Sequence, residues 1–142
     1  MVRIGDIIRG RNLFSVQVDQ SVADVARRMA ELRVGAILVL ENDELRGLFS
    51  ERDLMTRVGV ERRDPESTPV RSVMSVDLAT IEECSTLDEA LECMTQHSCR
   101  HLPVMSGGKV TGFLSMRDVM WFDLAQKTEE LEHLHAYVHG SA

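Results

Sequence analysis

Two short runs carry the residue types of a binding site. Gly47-Leu48-Phe49-Ser50-Glu51-Arg52-Asp53 and Gly112-Phe113-Leu114-Ser115-Met116-Arg117-Asp118 each end an apolar segment with serine, arginine and aspartate at the same spacing. A carboxylate three residues after a serine has two uses in the first turn of a helix. It can close a capping box with Ser50 or Ser115 as the N-cap, which stabilises a helix by about 1 kcal/mol. It can also accept two hydrogen bonds from a vicinal diol such as a ribose, while the free N–H groups and positive dipole of the helix N-terminus draw a phosphate. A lone Ser-x-x-Asp favours the first use, and Ser21-Val22-Ala23-Asp24 and Thr86-Leu87-Asp88-Glu89 ask for nothing more.

Other chemistry finds less support. The chain has no glycine-rich phosphate loop, Gly-x-Ser-x-Gly elbow, His-Glu-x-x-His or Cys-x-x-Cys, so no catalytic residue is expected. Cys93, His97, Cys99 and His101 are metal-ligand types close in sequence. Their run passes from helix into strand, however, and the repeat described next sets His97 against Leu32 and Cys99 against Val34, positions of packing. No metal ligand is therefore expected, and a Cys/His metal or redox site stays as an alternative. The three cysteines are irregularly spaced and imply no disulfide framework.

The positioning elements repeat. A shift of 65 residues aligns Val16–Leu54 with Ile81–Val119 without a gap, and Gly47, Ser50, Arg52 and Asp53 meet identical residues. In each half a hydroxyl-led start opens a helix with apolar residues at i, i+3, i+4 and i+7: Val22, Val25, Ala26, Met29 and Leu87, Ala90, Leu91, Met94. Two short strands follow, Ala36–Leu40 and Leu45–Phe49 or His101–Met105 and Val110–Leu114, with Gly107-Gly108 as hairpin chemistry in the second turn. A helix then opens at the serine motif. The spacing predicts an α/β fold of two β-α-β-β-α repeats, 1–64 and 65–125, related by a pseudo-twofold axis and packed through their sheets. Residues 126–142 form a helical tail, and from Trp121 on the apolar residues Leu124, Leu131, Leu134 and Val138 keep helical spacing, able to pack on their own domain or to meet a partner.

Composition sets limits. The 142 residues carry 23 acidic against 16 basic side chains, a net charge of −7. That balance opposes binding to a nucleic acid duplex, which rests on phosphate neutralisation. The longest apolar run, Ala36–Leu40, is too short for a membrane span, and the start has no signal-peptide core. A cytoplasmic protein is expected.

The paired motifs, the pattern between them and Arg100-His101-Leu102-Pro103-Val104 resemble tandem CBS domains, the Bateman module. The resemblance covers about residues 4–125, and Phe-Ser-Glu-Arg-Asp with Pro-Val-Arg-Ser-Val-Met is similar to stand-alone bacterial CBS pairs and their plant organellar relatives. It implies a regulatory ligand-binding module for AMP, ADP, ATP, S-adenosylmethionine or NAD(H), non-enzymatic, homodimeric and acting on an unidentified partner protein. Carried over by residue, it implies two clefts. One joins Ser50, Arg52 and Asp53 to Ser75, Thr80, Cys99, Arg100 and His101. The other joins Ser115, Arg117 and Asp118 to Arg9, Ser15, Val34, Gly35 and Ala36. The first half departs from the pattern by one extra residue between Ile8 and Val16 and by lacking a proline to match Pro103. A partner-binding scaffold with dead clefts is the competing reading.

Overall fold

The computed structural model describes residues 2–139, so residues 140–142 of the tail lie outside it. The elements in chain order are α1 (Ile4–Ile8), β1 (Ser15–Gln17), α2 (Val22–Leu32), β2 (Ala36–Glu41), β3 (Glu44–Ser50) and α3 (Glu51–Asp53), which continues as a π-helix over Leu54–Gly59. A 3-10 turn, Val70–Ser72, leads to β4 (Ile81–Glu82), α4 (Leu87–His97), β5 (His101–Ser106), β6 (Lys109–Ser115) and α5 (Met116–His139). The strands make two three-stranded sheets, ordered β1-β2-β3 and β4-β5-β6, each with one parallel and one antiparallel pair. The expected β-α-β-β-α repeat is present twice.

Local sequence explains the elements. Ser21 and Thr86 cap α2 and α4 by accepting the N–H of Asp24 and Glu89, each at 3.1 Å. The hairpin residues Asn42, Asp43, Gly107 and Gly108 all take positive φ, the geometry of a two-residue turn matched to strand twist. Ile37, Val39 and Phe49 pack with Val22, Val25 and Met29 of α2. Ala36, Leu38 and Leu48 point the other way and meet Val110 and Phe113 of the second sheet. Two buried faces are why β2 reads as an unbroken apolar run.

Each half lends its opening segment to the other. Ile4, Ile7 and Ile8 of α1 sit in the core with Leu87, Ala90, Leu102 and Leu114, and the Ile4 and Gly5 N–H groups reach the carbonyls of Ser85 and Glu83, both at 2.9 Å. Val70 and Val73 in turn fill the first-half core, and the Val70 N–H bonds the Gln20 carbonyl at 2.8 Å. Close approach makes this exchange tight. A Cβ on Gly47 would stand 2.6 Å from Met74 Sδ and 2.8 Å from the Ser75 carbonyl, and one on Gly112 would stand 2.5 Å from Ile8 Cδ1.

Candidate functional site

The two serine motifs form the same local structure in different surroundings. At each, a strand ends at the serine and a helix begins, so the backbone presents N–H groups at the sheet edge. Ser115 Oγ accepts from the Asp118 N–H at 3.1 Å, and Asp118 Oδ2 accepts from the Ser115 N–H at 3.0 Å. Ser50 and Asp53 make the same reciprocal box at 3.2 and 3.0 Å. The capping use of both aspartates is therefore real, and it leaves each carboxylate with acceptor capacity.

Asp53 spends that capacity inside the protein. It is 6% exposed. The Ser75 hydroxyl donates to it at 3.2 and 3.3 Å to the two oxygens, and the Ser50 hydroxyl donates at 3.1 Å. Arg57 stands over it at 3.7 Å while donating to the Val73 and Met74 carbonyls at 3.2 and 2.8 Å. Two hydroxyls thus occupy the acceptor positions that a ribose diol would use.

Asp118 faces a cleft instead. The cleft measures about 1640 Å³, more than the roughly 300–1,000 Å³ of a common small-molecule site, and runs from the edge Val34-Gly35-Ala36 to the first turns of α5. Arg11 donates a salt bridge to Asp118 Oδ2 at 3.1 Å, with side chains 40% and 25% exposed. Burial pushes the Asp118 carboxyl up, but the Arg11 guanidinium and the Ser115 backbone and hydroxyl together hold it below the usual carboxylate range. Arg11, Arg33, Arg100, Arg117 and Lys127 line the cleft against Glu51, Asp118 and Asp123. The lining is net basic in a chain whose net charge is −7.

His101 adds a titratable group. It pairs with Ser115 across β5–β6 and stacks on Phe113 at 5.2 Å between ring centroids. Burial pushes its pKa down, Asp118 pulls it back up, Arg100 lowers it and Glu51 raises it, with a net fall below the ordinary value. His101 is thereby held largely neutral near pH 7.

The structure redistributes the expected residues. Ser115, Arg117 and Asp118 meet Val34, Gly35 and Ala36 in one cleft, as the repeat implies. Arg100 and His101 line this same cleft rather than the Asp53 side, because alternation along β5 and the antiparallel register bring His101 beside Ser115. Arg9 turns away to Asp6 at 3.0 Å, and Ser15 lies opposite Leu38 within the first sheet. The extra residue in the first half delivers Arg11, not Arg9, to the carboxylate; the positive φ of Gly10 marks the turn. On the Asp53 side only Ser50 and Ser75 touch the carboxylate, while Arg52 and Thr80 are exposed and Cys99 packs against the second core. Burial, then the neighbouring Cys93, push the Cys99 thiol up, away from a reactive thiolate. Among the described residues no group of three or more His, Cys, Asp and Glu is placed to hold a metal.

Arg11, Glu51, Phe113 and Trp121 are cleft residues outside the expected contact set, although Glu51 and Phe113 lie within the two motifs. Glu51 and Met116 are equivalent by the repeat, and their N–H groups bond the equivalent carbonyls of Gly35 at 2.9 Å and Arg100 at 2.7 Å. That pairing stitches each helix start to its own strand edge and could have been read from the alignment.

The CBS-domain family model matches residues 4–59 and 70–124. The chain belongs to the CBS-domain family. Among curated relatives, this CBS pair is 32% identical to CBS domain-containing protein YhcV of Bacillus subtilis over 105 residues, covering 74% of each chain. It is 30% identical to YlbB of the same organism over 132 residues, covering 92% of this chain and 86% of that one. Similarity to mitochondrial CBSX3 of Arabidopsis thaliana is 32% over 127 residues, 86% of this chain and 62% of the relative. The chain thus spans about three-fifths of the length of CBSX3, as it does of a Methanopyrus kandleri relative, 61% of which it matches. Among solved structures, a protein with CBS domains from Burkholderia ambifaria superposes with TM-score 0.82 at 32% identity, covering 87% of this chain and 95% of that one. A CBS-domain protein from Agrobacterium tumefaciens gives 0.79 at 27% identity, covering 86% and 99%. Stand-alone CBS pairs are typically non-catalytic regulatory modules. Among the described residues no helix is long and apolar enough to cross a membrane.

Proposed function

We propose that this CBS pair is a regulatory, non-enzymatic module that binds one adenine nucleotide per chain in the Asp118 cleft and reports its level to a partner protein. The observation that carries the reading is the reversal of charge: a net basic cleft in an acidic chain, built around a helix start and a partly exposed carboxylate paired with Arg11. An anion is favoured there by the arginines and the dipole of α5. Asp118 supplies the acceptor for a ribose diol, and the strand edge at Val34–Ala36 supplies backbone groups for a base. CBS domains commonly bind adenine nucleotides, which agrees with this chemistry; AMP, ADP, ATP, NAD(H) and S-adenosylmethionine are the candidate ligands. The Asp53 side is a structural twin whose acceptors are taken by Ser50 and Ser75. Arg9, Ser15, Arg52, Thr80 and Cys99 accordingly drop out of the proposed contact set.

Isothermal calorimetry and thermal shift with AMP, ADP, ATP, NAD and S-adenosylmethionine test the reading. At least one should bind with stoichiometry near one per chain and raise the melting temperature. No heat and no shift with any of them at millimolar ligand would leave the scaffold reading standing, since a millimolar Kd is only about −4 kcal/mol.

A further inference from the structure

Cys93, His97 and Cys99 stand together at the end of α4, and the nucleotide reading uses none of them. The helix stops in a left-handed cap. Ser98 takes φ 50°, its N–H reaches the Thr95 carbonyl at 3.3 Å, and the Cys99 N–H reaches the Met94 carbonyl at 3.0 Å. In such a cap the residue after the left-handed position folds back against the side chains five and six places earlier. Six places before Cys99 is Cys93. Both side chains are half-buried against the second core, and they are near enough that charge on Cys93 is felt at Cys99.

The first half builds the same cap without the chemistry. Arg33 takes φ 58° there, and the Val34 N–H bonds the Met29 carbonyl at 3.1 Å. The equivalent pair is Arg28 and Val34, and Arg28 lies over the Phe14 ring at 5.8 Å. The cap therefore does not itself call for thiols. His97 adds a donor to them. Its Nδ1 is 2.9 Å from the Cys93 carbonyl and 3.8 Å from Cys93 Sγ. A carbonyl only accepts, so Nδ1 carries the hydrogen and can also donate to a thiolate on Cys93. The Cys93 thiol donates in turn to the Thr80 carbonyl at 4.0 Å. Among the described residues Cys93, His97 and Cys99 make no metal-holding group. Oxidation is the chemistry left to two neighbouring thiols.

We infer that Cys93 and Cys99 are a reversible dithiol–disulfide pair oxidised by a peroxide, and that the disulfide acts on the Asp118 cleft through Arg100. The Cys93 thiolate attacks one peroxide oxygen, the O–O bond breaks and hydroxide leaves, giving a sulfenic acid. The Cys99 thiol then attacks that sulfur, the S–O bond breaks, and the oxygen leaves as water with the Cys99 proton. Two electrons pass from the pair of sulfurs to the peroxide, and a dithiol reverses the reaction by exchange. Arg100 follows Cys99 directly. Its carbonyl accepts the Met116 N–H at the start of α5 at 2.7 Å, and it lines the cleft. A disulfide holds its two Cα atoms within about 7 Å, so closing it ties Cys99 to α4 and loads the Arg100–Met116 bond. The disulfide does not depend on the nucleotide reading; only its effect on affinity rests on that reading.

The Cys84→Ser chain, which lacks the exposed third thiol, is treated with hydrogen peroxide at a dose that oxidises Cys84 in the native chain. It is then digested without reduction by trypsin and a glutamyl endopeptidase. Cuts after Glu92 and Arg100 leave Cys93 and Cys99 in one peptide. That peptide should be lighter by two hydrogen atoms and should regain them with dithiothreitol. With Cys99→Ser added, Cys93 should stop at the sulfenic acid and take up dimedone. His97→Ala should slow disulfide formation, and an unchanged rate would remove His97 from the pair. In the oxidised chain, hydrogen exchange at the Met116 amide should quicken and nucleotide affinity should fall by about fivefold or more. Two free thiols in the peptide, or Cys93 carried on to the sulfinic acid beside an untouched Cys99, would overturn the pair. Unchanged exchange and affinity in the oxidised chain would overturn the link to the cleft. Faster exchange with no nucleotide heat in either state would instead remove only the ligand reading.

Discussion

The Arg11 guanidinium lies 3.1 Å from Asp118 Oδ2, whereas the equivalent carboxylate of Asp53 is met by the Ser75 hydroxyl. One contact is a charged, half-exposed pair that a ligand can break. The other is a buried carboxylate that accepts from two hydroxyls, with Arg57 at 3.7 Å. Exposed pairs of the first kind contribute about 0–1 kcal/mol, so opening it is cheap. Arg11→Ala should accordingly change the unfolding free energy by no more than about 1 kcal/mol. Its effect on ligands should split by chemistry. Adenosine, which only needs the freed Asp118, should bind better, and ATP, which gains a guanidinium for its phosphates in the native chain, should bind worse. Calorimetry with both ligands decides, and a parallel change for both would remove Arg11 from the phosphate end.

The two aspartates should separate stability from binding. Asp53→Asn places an amide where two hydroxyls and Arg57 converge, and leaves buried donors without a charged acceptor. Urea denaturation should show a loss of about 1–3 kcal/mol, with nucleotide stoichiometry unchanged. Asp118→Asn should cost under about 1 kcal/mol of stability while reducing ribonucleotide affinity at least tenfold. Equal effects of the two substitutions on binding would restore two working clefts.

Proton linkage has a definite sign. The Asp118 pKa is depressed in the folded chain, so its contribution is fully present above the ordinary carboxylate value near 3.9 and is lost as pH falls through the folded value. The His101 pKa is also lowered, so the unfolded chain takes up a proton first, and stability declines as pH falls below about 6.5. The groups acting on His101 are Asp118, Arg100 and Glu51. A phosphate arriving beside it favours imidazolium, so nucleotide binding near pH 6 should take up protons and tighten as pH falls. Calorimetry in buffers of different ionisation enthalpy measures that uptake, and proton release would contradict it.

The paired glycines should differ despite their equivalence. A methyl on Gly47 meets the Ser75 carbonyl, which belongs to backbone and cannot yield, whereas one on Gly112 meets chiefly the flexible end of Ile8. Gly47→Ala should destabilise by about 2–3 kcal/mol and Gly112→Ala by about 1 kcal/mol, within the range for overpacked cores. Thermal melts of the two variants compare them directly.

The fold was legible because both halves write it in the same periodicities, and two weak readings in register reinforce each other. Strand bounds moved by one residue, as at Ala36–Glu41, since ladder bonds extend past the apolar run. The site was legible only at the motif. The repeat sets Arg100 and His101 with Asp53, whereas they line the cleft of Asp118, because a strand edge borders both clefts in topology and the register of β5 brings His101 beside Ser115. Arg11 was missed because the extra loop residue broke the alignment where its contact begins. The filling of the Asp53 site by Ser75 depends on a long-range approach across Leu48 and Ser75, whose N–H and carbonyl groups bond at 2.9 and 2.8 Å. No local pattern announces such a contact.

The exchange of opening segments also fixes an order of events during synthesis. The first core needs residues 16 to 73, including Val70 and Val73, and can close once they have left the ribosome. Ile4, Ile7 and Ile8 precede that core in the chain, yet their places lie among Leu87, Leu102, Leu114 and Val119. A nascent chain therefore carries three unburied isoleucines until nearly the whole second half is made, and such transiently exposed apolar surface is what chaperones cover. A pause in translation between residues 75 and 119 would lengthen that exposure, so residues made before the first core are among the last to find their neighbours.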